Sequence, residues 1–160
     1  MSQHESKCGI CAGIETIRAG KAPNLIAELD NSYVVLGDAQ FYRGYCILLA
    51  KHHAHELFQL PRDQALGLFD ELRSVGEAIF NVVKPLKLNY ECLGNLEPHV
   101  HWHIFPRYLS EDEKLRRGPI WERPASERTR ALEEHDQRAV MASLRAEIVK
   151  LIPTARIPLD

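Results

Sequence analysis

Pro98-His99-Val100-His101-Trp102-His103-Ile104-Phe105-Pro106-Arg107 decides the reading of this chain. Histidines alternate with Val100, Trp102 and Ile104. Alternation with period two marks a β-strand, whose side chains point to opposite faces in turn. One face would carry His99, His101, His103 and Phe105. The other would carry Val100, Trp102 and Ile104 into a core. A helix would scatter the imidazoles around its circumference. Each imidazole has an unperturbed pKa of about 6.5, so near neutral pH the three can share protons, donate, accept or bind metal. Same-face neighbours sit about 7 Å apart, close enough to grip one phosphate or one metal ion. The outer two are too far apart to meet at a single ion, which argues against a catalytic metal held by all three. Three of the eight histidines fall on this one face, a concentration that a merely polar strand seldom shows.

Working outward, residues 86–93 read as a strand. Gly94-Asn95-Leu96-Glu97-Pro98 connects it tightly to the histidine strand, so the two should be antiparallel neighbours. Upstream, residues 62–83 keep apolar positions at 3/4 spacing (Leu68, Phe69, Leu72, Ile79, Phe80, Val83), the mark of a helix with one buried face. Pro61 precedes this helix and Pro85 stops it. Tyr45-Cys46-Ile47-Leu48-Leu49-Ala50 is a continuous apolar run, read as a buried central strand that leads into Lys51-His52-His53-Ala54-His55. Residues 25–29 and 33–37 read as two short strands joined by an Asp30-Asn31-Ser32 turn. Residues 9–20 suit a short helix. Residues 135–152 suit a terminal one, with Val140, Leu144, Ile148 and Leu151 on one face. The expected class is α+β: an antiparallel β-sheet with a long amphipathic helix and a C-terminal helix.

The 160 residues, 45% of them hydrophobic, suit one domain over 1–160 with a real core. Residues 1–7 and about 110–134 are expected to be less ordered; Gly118-Pro119-Ile120-Trp121 is an isolated apolar patch within the latter. A net charge of −2 lacks the basic excess of a nucleic-acid binder. No apolar run reaches the roughly 20 residues of a membrane span. The first residues, Met1-Ser2-Gln3-His4-Glu5-Ser6-Lys7, lack the apolar core of a signal peptide. A cytoplasmic location follows as the expectation, with all four cysteines reduced. Cys8-Gly9-Ile10-Cys11 is then half of a zinc site or a redox dithiol. It follows a polar tail rather than a strand, which favours zinc. His52, His53, His55 and His99 are the candidate partners for a Cys₂His₂ set.

His99-Val100-His101-Trp102-His103-Ile104-Phe105 fits the pattern His-φ-His-φ-His-φ-φ, with φ apolar. In this the sequence resembles the histidine triad (HIT) family of nucleotide hydrolases and transferases. The C-x-x-C, the Asp after a strand, the apolar strand running into Lys-x-His, the amphipathic helix and the Gly-Asn loop fall in family order. The later Pro-Ile-Trp looks like a bacterial branch. The resemblance implies a HIT-like fold and a hydrolase acting on phosphorus anhydrides or phosphoramidates. It implies His101 as the nucleophile that attacks the α-phosphorus, giving a covalent nucleotidyl-histidine. His103 would hold a phosphate oxygen, and His99 would support from behind or ligate metal. Asp38 would bind the ribose hydroxyls and Asn95 a phosphate oxygen. Cys8, Cys11, His53 and His99 would hold a structural Zn²⁺, with no organic cofactor. A purine nucleotide substrate and a homodimer, built with the long helix and the strand at 86–93, are further implications. Trp121 is expected near the nucleotide of its own or the partner subunit. Three departures stand out. Leu96 takes the place of a Ser or Thr beside the leaving group, the loop into the triad is short and leaves less backbone to wrap the phosphates, and Gly44-Tyr45 replaces a Gly-His step. The alternative reading is a nucleotide-binding or scaffolding protein with weak or vestigial turnover.

Overall fold

A computed structural model describes residues 8–129 and 131–158. The polar stretch 1–7 lies outside the described residues. Five strands, β1 (Leu25–Glu28), β2 (Ser32–Leu36), β3 (Cys46–Ala50), β4 (Lys87–Glu91) and β5 (His101–Arg107), form one antiparallel sheet in the order β1-β2-β3-β5-β4. The α+β class and the antiparallel sheet expected from the pattern are therefore present. Helix α1 (Gly9–Arg18) precedes the sheet. Helix α2 (Arg62–Val83) lies between β3 and β4. The short α3 (Glu113–Arg117) and α4 (Ala125–Arg128) follow β5, and α5 (Glu134–Leu151) closes the chain.

The alternation in β5 sets the layers. Trp102 and Ile104 point to one face, where Leu68, Val75 and Ile79 of α2 and Val140, Leu144 and Ile148 of α5 complete the main core. Burying each such side chain contributes about 1.5–3 kcal/mol, so this face fixes the register of the strand. A slip of one residue would turn the histidines into the core. Helix α2 ends where Lys84 turns left-handed, with φ 49°, and Pro85 forbids another turn. Glu71 ties this helix to the sheet. Its buried carboxylate accepts from the Asn31 backbone N–H at 2.7 Å and from the Ser32 hydroxyl at 2.6 Å.

Two smaller clusters cover the opposite face. Ile14 and Ile17 of α1 pack on Tyr33, Val35 and Leu49. At the other end Ile120 packs on Tyr42, Tyr45 and Phe105. His101 and His103 lie on this face, between the two covers. Among the described residues no helix is long and apolar enough to cross a membrane.

The strand ladder begins at His101, not at His99. The two residues before it bond elsewhere: Val100 donates its N–H to the Ala54 carbonyl, and His99 donates its own to the Glu97 carbonyl. This turns His99 out of the row and toward α1.

Candidate active site

Three hydrogen bonds assign the protons of the paired histidines. His101 Nδ1 lies 2.6 Å from the His99 carbonyl oxygen, which can only accept, so Nδ1 carries a proton and, in the neutral ring, Nε2 holds the lone pair. His103 Nε2 stands 3.2 Å from that lone pair and is therefore its N–H donor. His103 Nδ1 is then the acceptor for the Tyr45 hydroxyl at 2.5 Å. The ring of His103 is stacked with that of Phe105, at an interplanar angle of 8°. Burial, with a smaller contribution from the neighbouring His101 ring, pushes the His103 pKa down to about 4, so the ring is neutral at physiological pH. Burial also pushes the Tyr45 hydroxyl up, leaving it a donor that does not ionise.

Tyr45 is the residue that sequence reasoning missed. Its signal was present: Gly44-Tyr45 stood out as a departure. Its meaning depends on the register of β3 against β5, where Ile47 pairs with His103. Tyr45 precedes Ile47 by two and so lies on the same face, with its ring stacked on Phe105 at 4.1 Å between centroids.

Behind His101 the structure gathers Cys8, Cys11, His53 and His99. Their ligand atoms all lie within 4.8 Å of one another. His99 Nδ1 is 3.5 Å from each sulfur and 3.2 Å from His53 Nδ1, and Cys11 Sγ is 3.3 Å from His53 Nδ1. Ligands at 2.0–2.3 Å from a central zinc would stand about 3.3–3.8 Å apart at tetrahedral corners. The observed spacing fits. His99 Nε2 donates to the Ala50 carbonyl at 2.9 Å, so its Nδ1 lone pair faces the sulfurs. Burial holds the His99 pKa below the usual imidazole value, which favours the neutral, ligating form. His52 and His55 are exposed and stand outside the cluster.

Asp38 is exposed in the turn after β2, near enough for its charge to act on the Tyr45 hydroxyl. Asn95 is exposed in the connection between β4 and β5, beside Leu96, which is 96% exposed. Trp121 of the same chain stands edge-on to His103, 5.7 Å between ring centroids, and its indole N–H donates to the Glu91 carboxylate at 2.6 Å.

The segment carrying Trp121 is pinned by a buried ion network. Glu111 accepts from Arg107 and, at 2.9 Å, from Arg123, and all three side chains are at most 5% exposed. Arg107 also donates to Asn89 and to the carbonyls of Leu115 and Gly118. Burial raises the Glu111 pKa, but hydrogen bonds from Arg107, the Tyr108 N–H and Arg123 outweigh it and hold the carboxyl below its ordinary 4.5. A lowered folded pKa means that the pair stabilises above that ordinary value and is lost as pH falls through the lowered one. Glu111→Ala would remove the carboxylate shared by two buried guanidinium groups, and we predict a loss of about 3–5 kcal/mol in urea unfolding at neutral pH. An unchanged unfolding midpoint would show that this network does not hold the segment.

The HIT domain family model matches residues 19–110, more than half of the chain. The chain belongs to the HIT domain family. HIT membership supports a nucleotide-binding function of hydrolase or transferase kind. A histidine triad protein from Bradyrhizobium japonicum is 26% identical, with a TM-score of 0.66, over 82% of this chain and 94% of that one. A histidine triad protein from Marinobacter aquaeolei is 24% identical, with a TM-score of 0.69, over 84% and 95%. A zinc-bound histidine triad family protein from Mycobacterium smegmatis is 21% identical, with a TM-score of 0.61, over 92% and 96%. No curated protein sequence matches the chain. The HIT match ends before α3, so the segment that brings Trp121 to His103 lies outside it.

Proposed function

We propose that this HIT protein is a nucleotidyl hydrolase that cleaves at an α-phosphate through a covalent nucleotidyl-His101. One observation carries the reading: the His99 carbonyl holds Nδ1–H of His101, so that in the neutral ring Nε2 is the attacking lone pair. In the first step Nε2 forms a bond to the α-phosphorus. The bond from phosphorus to the leaving group breaks, and its electron pair departs with that group. His103 Nε2–H donates to a phosphate oxygen and stabilises charge there. Water then adds its hydroxyl to phosphorus, the P–Nε2 bond breaks, Nε2 recovers its lone pair, and the second water proton goes to solvent.

The proton inventory favours anhydrides over phosphoramidates. An amine must be protonated as it leaves, whereas a phosphate departs as an anion. His103 already accepts from Tyr45 at its other nitrogen, and Leu96 supplies no donor. The reading extends to a purine nucleotide whose ribose meets Asp38 and whose phosphates reach Asn95. A zinc ion on Cys8, Cys11, His53 and His99 would have four protein ligands and would serve structure. A homodimer through α2 and the edge strand β4 completes the proposal, supported by the exposed Leu66, Phe69 and Phe80 along one helix face and Tyr90 beside them.

The test is an intact mass spectrum, acid-quenched seconds after mixing with diadenosine triphosphate. An adenylyl adduct on wild type, absent from His101→Ala, is the expected result. Free AMP accumulating without any adduct, even with a slow-resolving analogue, would replace the covalent route by direct water attack.

A further inference from the structure

Tyr45 is presented to His103 by a loop built around it. Gln40, 5% exposed, closes the turn between β2 and β3. Its amide nitrogen donates to the carbonyls of Gly37 at 2.7 Å and Tyr45 at 2.8 Å, and its oxygen accepts the Gly44 N–H at 2.9 Å. Gly44 takes φ 88°, a left-handed conformation open to glycine, just before Tyr45. A Cβ at Gly37 would collide with the Tyr45 ring. That ring is 6% exposed and lies flat on Phe105, with 13° between the planes. Backbone and ring are both held, and the hydroxyl meets His103 Nδ1.

We propose that Tyr45 is a positioning residue whose hydroxyl keeps the single proton of His103 on Nε2 while phosphorus is bound to His101. The inference rests on the hydrolase reading above. A neutral imidazole has two tautomers, and its hydrogen bonds select between them. Among the described residues two groups select here: the Tyr45 hydroxyl at Nδ1 and the His101 lone pair at Nε2. The reaction consumes the second. Once His101 Nε2 bonds to phosphorus it accepts no hydrogen bond, and the His103 N–H turns to a phosphate oxygen. Tyr45 is then the group that holds the tautomer. A proton on Nδ1 would take away the acceptor of a buried hydroxyl, which is costly. It would also leave Nε2 facing the phosphate with a lone pair, and repulsion would replace stabilisation of the developing charge. No proton is transferred in this role: Tyr45 stays a phenol, and His103 Nε2 keeps its hydrogen through attack and hydrolysis. Tyrosine suits the task, because a phenol has one proton to give and burial opposes its ionisation. An imidazole in its place could change tautomer or charge itself.

Two readouts test this. His101→Ala lacks the Nε2 acceptor, so its long-range 1H–15N correlation spectrum should show His103 protonated on Nε2 alone. His101→Ala/Tyr45→Phe should show mixed tautomers. In kinetics, Tyr45→Phe keeps the ring on Phe105 and should lower kcat on diadenosine triphosphate about tenfold, the scale of one hydrogen bond. KM and the thermal midpoint should stay close to wild type, whereas a merely structural tyrosine would move the midpoint and leave the tautomer alone. Mixed tautomers with Tyr45 in place, Nε2–H alone without it, or wild-type kcat in Tyr45→Phe would each overturn the positioning role and leave the hydrolase reading standing. If the phenylalanine variants do not melt cooperatively, the His101→Ala spectrum decides. Failure of wild type to release AMP overturns the hydrolase reading, and the role of Tyr45 in turnover with it.

Discussion

Replacing His101 with alanine should lower kcat by on the order of 10⁴-fold or more while nucleotide binding persists. A nucleophile that acts in concert with its orienting groups accounts for most of the chemical rate when removed. Here the orienting group is the His99 carbonyl at 2.6 Å, which the substitution leaves in place. The cysteine cluster is also untouched, because it uses the side chain of His99 and none of His101. The variant should therefore melt like wild type and bind nucleotide by calorimetry. His103→Ala is expected to cost less, about 10²–10³-fold, the scale of one lost donor to a developing charge. The comparison has a clear adverse outcome. If His101→Ala kept most of its turnover, water would be the attacking group and the row of histidines would serve only to bind phosphate.

Removing metal should have the second largest effect, and it should be read first in stability. Cys8, Cys11, His53 and His99 join the N-terminal end of α1 to the loops after β3 and before β5. Structural zinc contributes about 10–16 kcal/mol of apparent binding free energy in small domains, comparable with the roughly 5–15 kcal/mol that stabilises a whole domain. We predict about one zinc per chain by elemental analysis. We also predict a fall in thermal midpoint when a strong chelator is added, with activity following the loss of fold. Cys11→Ser should reproduce the fall without chelator. A protein that bound no zinc when refolded with it, and melted unchanged in chelator, would show the four side chains to be a reduced, metal-free cluster. Activity lost at once with an unchanged midpoint would make the metal catalytic.

The histidine strand and α2 were legible because most of each obeys one period, although His99 leaves the row and Phe69 and Phe80, counted with the buried face of α2, are 47% and 45% exposed. Trp102 and Ile104 are buried where alternation puts them, and α2 spans Arg62–Val83 between its two prolines. What the pattern could not show depends on elements distant in sequence. Nothing local distinguishes His53 from His52 or His55; the choice is made by the path of the chain after β3, which brings one ring to Cys11 at 3.3 Å. The role of Tyr45 waits on a strand register 58 residues away. The segment after β5 reads as charged, and the placing of Glu111 between Arg107 and Arg123 is an arrangement invisible in composition.

His99 gives its side chain to one centre and its main chain to the other. The ring faces the two sulfurs, and the carbonyl oxygen accepts the Nδ1–H of His101. A designer could not therefore treat the cysteine–histidine corner of this scaffold as a detachable clasp. Any metal-free version would have to supply, by packing or by a new cross-link, the torque that keeps one peptide plane facing His101.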